Sequence, residues 1–447
     1  MRFVVALIVA TSVAFSGAQT PPIQPKTPDV KIPPALALPP PKEIAIGRQP
    51  LTAEEAVAIA LKNQGLIGIA RANLLSAQGR TQQAASGLLP DFNAAAGYGQ
   101  TSLIRGNSGA GASTGGLYSS SINVSQLLFD FGRTRDSVRQ AEALERAFRH
   151  SLTRSQQTLA LDVKQAFYSL VQNVDDVGIS TANVANRQRQ LDEAQARLDS
   201  GLGAPADVVQ AKTNLASAAI SLSNARNSAL SSQIQFAQLL GIDPRTPISL
   251  AGSNEATVNG EADIESLVTT ALQNRPDLRA AEEQVKAARF AVSFSQKGNF
   301  PKITAAAGVS SRGVTDPLAT ESGTFSINVT WNFADSGFTA GQVKQAKGSE
   351  EAARQNLILV TQQVVADVSG AYVDLQSALQ RVGLADVEVA NAQELVRISE
   401  GRYNGGIGQF LDITNAQSSL VSAQRDQAQA KQDVERVRAR LKAAVGL

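Results

Sequence analysis

The chain has 447 residues, a formal net charge of +2, 5% aromatic residues and no cysteine. That length allows two or more domains. The near-neutral charge excludes a basic nucleic-acid footprint, and the missing thiols exclude disulfides, thiolate metal sites and cysteine catalysis.

The N-terminus reads as a secretory signal peptide over residues 1–18. Arg2 supplies the positive end, residues 3–15 the apolar stretch, and Ser16, Gly17 and Ala18 the small residues before a cleavage site. A proline-rich arm follows over 19–50, with Pro33, Pro34, Pro39, Pro40 and Pro41 among its prolines. Such a segment holds no helix and extends. No later apolar run reaches the ~18–20 residues of a membrane helix, so any span must be made of strands.

From residue 51 the chain repeats itself. Ser121, Ile122, Asn123 and Val124 recur 205 residues on as Ser326, Ile327, Asn328 and Val329. Asp130 and Gly132 fall on Asp335 and Gly337 at the same offset, and Arg197, Gly201, Gly203 and Asp207 fall on Arg402, Gly406, Gly408 and Asp412. Asn63, Ala77 and Pro90 match Asn274, Ala288 and Pro301 at an offset of 211, so one loop before Ser121 is longer in the first copy. A duplication this long defines two units, 51–250 and 251–447.

Each unit opens on a helix. Thr52 with Glu55 forms a capping-box pattern, and helical periodicity continues toward Gly87; the second copy predicts a helix over 263–298. Pro90 and Pro301 end these helices. Hairpins follow over 90–129 and 301–334. Phe325, Ile327, Val329, Trp331 and Phe333 alternate with polar residues, at a length that suits a tilted membrane strand of ~9–11 residues. In the first copy Phe92, Ala94, Ala96 and Tyr98 share one face, and Ile122 and Val124 share another. Trp331, the only tryptophan, sits near a strand end, where an interfacial aromatic belongs.

The long helices carry the strongest period. Val163, Leu170, Val177, Val184, Leu191 and Leu198 recur every seven residues, as do Val368, Leu375, Val382, Val389, Val396 and Tyr403. Helices over 133–199, 207–240, 338–400 and 411–446 are predicted to pack side by side at shallow angles. The complementary seam position reads as polar, at Thr181, Gln188 and Gln195. Gly201 and Gly203, then Gly406 and Gly408, permit tight reversals, so each copy holds a helical hairpin.

Four strands cannot close a membrane barrel, whose smallest examples use eight, and open edges in lipid leave backbone groups unpaired. Several chains must share one barrel. Eight strands from two chains would be filled by side chains; twelve from three leave a pore. The predicted fold class is therefore mainly α with membrane β. Internally duplicated long α-helical hairpins form a trimeric α-barrel tunnel, and four strands per chain contribute to a twelve-stranded β-barrel.

Leu51, Thr52, Glu55 and Ala56, then Leu89-Pro90, then Leu128-Phe129-Asp130-Phe131-Gly132-Arg133, then Arg402-Tyr403 with Leu411-Asp412, resemble the TolC-type outer-membrane efflux protein family. The resemblance covers residue 51 to the C-terminus, in both copies. It implies a homotrimer embedded in outer-membrane lipid with a large periplasmic extension. The function implied is an exit duct of a tripartite efflux or type I secretion system, joined through a periplasmic adaptor (membrane fusion) protein to an inner-membrane pump. It also implies a periplasmic gate. Asp412 and position 415 match carboxylates that form rings at the entrance, with Asn415 here in place of the second. Asp207 and Tyr403 match positions that hold the entrance shut. The arginine that completes that link falls on Gly408, which leaves Arg402 or Gln409 to rebuild it. The hairpin tips, with Gly201, Gly203, Gly406 and Gly408, are the implied adaptor-docking points. On these grounds Tyr403→Phe should open the tunnel more than Asp412→Ala.

No enzyme constellation, cofactor motif or metal site is found. His150, the only histidine, lies among charges on a predicted solvated helix face, and no phosphate-binding loop occurs. The competing reading is a periplasmic coiled-coil adaptor or structural rod. That class lacks a duplication spanning strands and helices together.

Overall fold

The computed structural model describes residues 50–102, 114–246, 248–251, 263–313 and 321–447. The expected signal peptide and, apart from Pro50, the proline-rich arm lie outside the described residues.

The chain runs α1 (Ala53–Asn63), α2 (Gly65–Ser86), β1 (Asp91–Ser102), β2 (Thr114–Phe129), α3 (Arg133–Asp199) and α4 (Pro205–Leu240). It then repeats as α5 (Ile264–Asn274), α6 (Pro276–Gln296), β3 (Lys302–Gly313), β4 (Glu321–Thr330), α7 (Phe338–Asn404) and α8 (Phe410–Val445). The capping box at Thr52 forms, with the Thr52 amide donating to Glu55 Oε2 at 3.0 Å.

Five of the expected helices differ from the sequence reading. The helices expected over 52–87 and 263–298 are each two helices. They break at Gln64 and Arg275, both with ψ 124°. Pro276 causes the second break, because a residue before proline is driven to the extended region. At the first, the Gln64 side chain accepts the Gly65 amide proton at 2.9 Å and caps α2. The hairpin helices also begin or end a few residues off: α4 starts at Pro205, α7 runs on to Asn404, and α8 spans Phe410–Val445. Proline at the first helical position explains α4, since its missing N–H is one the helix would leave unpaired anyway.

The strands form one antiparallel sheet in the order β1-β2-β3-β4. Phe92 pairs with Val124 and Ala94 with Ile122, so the two apolar runs of the first hairpin lie on one side of the sheet rather than on separate faces. Ile122 continues to Val309, Val124 to Ala307, and Ala307 to Phe325. The opposite side aligns Asn93, Asn123, Gly308 and Thr324, and beside them Ser121, Ser310 and Ser322. One face is therefore apolar and the other small and hydroxyl- or amide-bearing, as a barrel wall between lipid and water requires. Trp331, just past β4, donates its indole N–H to Asn299 O at 3.0 Å.

Below the sheet the helices form one layer. α3 packs against α2 and α6 in its upper part and α4 and α8 in its lower part; α7 packs against α6 and α8. Each 67-residue helix, α3 and α7, spans about 100 Å. Along α7 the buried residues Val364, Val368, Ala371, Leu375, Ala378, Ala385, Val389, Ala392, Val396, Ser399 and Tyr403 keep a heptad spacing, the seam of shallow-angle packing. On α3 the companion seam is Ser180, Arg187 and Ala194, all buried, whereas Thr181 and Gln188 are exposed and Gln195 is half-buried. The expected polar seam is thus one residue out of register. The 3.6-residue turn places the real one toward α8, where Arg425 reaches Asp176 at 2.6 Å and Ser180 at 2.9 Å.

Two matching apolar clusters sit near the helix breaks. Leu159, Val163, Leu170, Phe236 and Leu240 serve the first repeat, and Val364, Val368, Leu375, Leu441 and Val445 serve the second. Truncating a fully buried Phe236 would cost about 3–5 kcal/mol. Near the sheet, buried Asp136 of α3 takes Lys297 Nζ at 2.5 Å and Ser293 Oγ at 2.5 Å, pinning α6 to the start of the tunnel layer. His150 is half-buried on α3 rather than fully solvated.

Candidate functional site

The hairpin tips lie at the ends of α3 and α7 farthest from the sheet. Both tips have the same backbone. Leu202 and Gly203 donate their amides to Arg197 O at 2.9 and 3.0 Å; Ile407 and Gly408 donate to Arg402 O at 3.0 Å each. Gly201 and Gly406 take φ of +74° and +77°, which side chains with a Cβ disfavour. A Cβ on Gly203 would lie 2.8 Å from Leu198 N, and one on Gly408 would lie 2.9 Å from Tyr403 N. Position 408 thus has no room for an arginine, whatever the family resemblance implies. The turns lift Leu202 and Ile407 to the apex, 82% and 77% exposed.

Beneath the apex the two hairpins meet. Ala194, Val208 and Ala211 of the first pack with Tyr403, Phe410 and Ile413 of the second. The Tyr403 and Phe410 rings stand edge to face with centroids 5.8 Å apart. Tyr403 Oη donates to Asp207 Oδ2 at 3.3 Å. Burial, and then the Asp207 charge, push the Tyr403 phenol above its ordinary pKa, so it stays a neutral donor.

The structure therefore brings Asp207 and Tyr403 together, but it uses Asp412 differently. Asp207 and Asp412 both occupy the third position of a helix, α4 and α8. Asp412 turns back to accept the Gln409 amide at 3.3 Å, a helix-capping role. Gln409 is spent on that cap and does not rebuild the missing link. Asn415 is exposed one turn further along α8.

Arg402 is exposed and does not rebuild the link either. Its repeat partner Arg197 is the arginine that reaches the second hairpin. The Arg197 guanidinium lies 4.4 Å from the centroid of the Tyr403 ring. Its Nη2 also donates to Asn404 Oδ1 at 3.1 Å and to Asn404 O at 3.3 Å. Higher up, buried Arg187 donates to Gln190 Oε1 at 3.1 Å, Ser418 Oγ at 3.0 Å and Thr414 O at 3.4 Å. Asn214 of α4 reaches Thr414 Oγ1 at 3.2 Å. Sequence reasoning missed Arg187, Arg197 and Asn214. The available signal was the duplication, which pairs Arg197 with Arg402 and so offers two candidate cations for one tyrosine.

The model of the family described as "Outer membrane efflux protein" matches residues 56–242 and 267–447. The outer membrane efflux protein BepC of Brucella suis is 28% identical over 321 residues, covering 70% of this chain and 68% of that protein. The outer membrane protein TolC of Vibrio cholerae is 25% identical over 355 residues, 78% of this chain and 80% of its own. Among solved structures, the outer-membrane channel OprN superposes with a TM-score of 0.79 at 21% identity, over 88% of this chain and 89% of that one.

Proposed function

Because this chain belongs to the outer membrane efflux protein family, we propose that it works as a homotrimer, the exit duct through which a periplasmic adaptor and an inner-membrane pump discharge their cargo. The protein is an outer-membrane efflux channel with a large periplasmic helical domain. The trimer, its partners and its gate are the finer part of this reading.

One observation carries the trimer. The sheet ends on β1 and β4, which pair on one side only. Lipid-exposed strand edges do not occur, because each unpaired backbone group costs several kcal/mol there. The helical layer has the same incompleteness. Its border helix α4 exposes Val209, Ile220 and Leu230, and its other border helix α7 exposes Leu359, Val373 and Leu384. Docking α7 of one chain against α4 of the next closes the tunnel while β4 of one chain pairs with β1 of the next. Three copies give twelve strands.

The gate reading places Asp207 and Tyr403 as the link between hairpins, with Asp412 and Asn415 lining the entrance. The apex residues between Gly201 and Gly203, and between Gly406 and Gly408, are the adaptor's docking points. The polar sheet face, lined by Asn123, Ser121 and Ser310, offers mainly neutral hydrogen-bonding groups along its middle. A lumen of that kind discriminates weakly, which leaves the choice of cargo to the pump.

Fractionation and crosslinking test this. The full chain should partition with outer membranes, crosslink as a trimer and conduct ions in planar lipid bilayers. A monomer that stays in the aqueous periplasmic extract would end the reading.

A further inference from the structure

We propose that Arg197, on the first hairpin, is the principal latch that holds the second hairpin against it, with Arg187 as a second hold farther up the tunnel. This rests on the channel reading above and names the residues that keep its entrance narrow.

The apolar cluster beneath the apex is non-directional. It favours contact between the hairpins but does not fix their register. Directional contacts must do that, and the tyrosine hydroxyl is a poor candidate. Its 3.3 Å separation from Asp207 is long for an O–H···O bond, whose usual range is about 2.5–3.0 Å. Arg197 instead grips two successive residues. Its guanidinium faces the Tyr403 ring at 4.4 Å, an attraction that needs the ring and not the hydroxyl. Its Nη2 meets both the side-chain and the main-chain oxygen of Asn404. Asn404 is the last residue of α7. Its carbonyl is one of those a helix leaves unpaired, at the negative end of the helix dipole, where a cation is favoured.

The second hairpin cannot supply this cation itself. Gly408 has no room for a side chain. Arg402 is exposed, and the repeat counterpart of Tyr403 is Leu198, which has no ring for a mirror-image contact. The hold is one-sided.

Arg187 adds a second point of attachment ten residues earlier on α3, about 15 Å up the tunnel. It is 6% exposed, and its partners are all neutral: Gln190 Oε1, Ser418 Oγ and Thr414 O. Among the described residues no carboxylate pairs with it. Two of those oxygens, on Thr414 and Ser418, belong to α8, so the contact ties the first hairpin to the second without an ion pair.

The test uses the purified full-length protein in planar bilayers. Arg197→Ala should raise single-channel conductance severalfold, and Arg197→Lys, which keeps a cation over the ring, should restore most of the narrow state. Tyr403→Phe alone should change conductance by less than half. To separate an opened gate from a damaged fold, Asn214→Cys and Thr414→Cys are placed in the Arg197→Ala background. The chain has no other cysteine, and these side chains already meet across α4 and α8. Oxidation should return the pore to low conductance, and reductant should reopen it. The latch is overturned if Tyr403→Phe opens the pore as much as Arg197→Ala, or if Arg197→Ala conducts like the wild type. It is also overturned if oxidation fails to narrow the Arg197→Ala pore. A wild-type protein that inserts and does not conduct at all sinks the channel reading, and the latch with it.

Discussion

The two repeats fold the same backbone and stabilise it with different chemistry. At the helix break of the first, neutral Gln64 donates to Gln238 O and Leu239 O, both at 3.3 Å. At the same place in the second, Arg275 is 2% exposed and holds Asp277 at 2.5 Å, Asp367 at 2.8 Å and Ala444 O at 3.5 Å. Arg154, from the first repeat, approaches Asp277 at 3.5 Å. At the tips the asymmetry reverses: the first repeat provides the working arginine and the second the tyrosine it grips. A duplication thus preserves turns and heptads, which are set by backbone geometry. It frees the polar contacts to diverge, because each only has to satisfy its own neighbours.

Removing the central cation of the second break should have the largest effect. Arg275→Ala leaves two carboxylates without their main partner, and breaking a buried pair costs about 3–5 kcal/mol; partial exposure of both acids argues for the lower end. Gln64→Ala removes ordinary hydrogen bonds worth about 1 kcal/mol. Thermal unfolding of the two variants should separate clearly, and equal losses would deny the contrast between repeats.

The tips should respond alike where the breaks do not. Gly203→Ala and Gly408→Ala meet the same backbone obstruction at 2.8 and 2.9 Å, an overpacking cost of about 1–3 kcal/mol each. Limited proteolysis at the apex reports it; a site that tolerates alanine while its counterpart does not would break the equivalence.

Acid should then distinguish the breaks again. Burial works against the Asp277 charge, but the Arg275 hydrogen bonds and charge outweigh it and hold the carboxyl below the ordinary aspartate range. A depressed folded pKa contributes stability that is present above the unfolded pKa and is lost as pH falls through the folded one. Amide protection factors in α5 and α6 should therefore fall on acidification, while those in α1 and α2, joined by a neutral amide, should hold longer. Synchronous loss in both would show that this ion cluster is not the acid-sensitive element.

The smallest effect belongs to Asp412. Asp412→Ala deletes one capping bond, about 1 kcal/mol, and should leave conductance nearly unchanged. Asp207→Ala removes the acceptor of Tyr403 and should open the pore more. Paired bilayer recordings decide the order.

Much of this architecture was legible in the residues. The repeated Ser-Ile-Asn-Val segments at 121 and 326, the heptads from Val163 and Val368, and the paired glycines of the tips each report a local backbone requirement that any packing must respect. The break at Arg275 was legible too, in Pro276, although helical periodicity runs through it. Gln64 carries no such mark. The seam on α3 was misread by one residue, since Thr181 and Ser180 are both small and polar and only contact with α8 separates them.

Sequence alone determined the duplication, the alternation of long hairpins with short strands, the glycine turns and the impossibility of closing a barrel with one chain. Periodicity and backbone sterics act over a few residues and are written in order along the chain. Tertiary structure alone decided that Arg197 rather than Arg402 meets Tyr403, that Asp412 caps while its counterpart Asp207 bridges, and that Arg187 of α3 turns toward α8. Those choices depend on how two hairpins some two hundred residues apart lie against each other, and no local pattern records that distance.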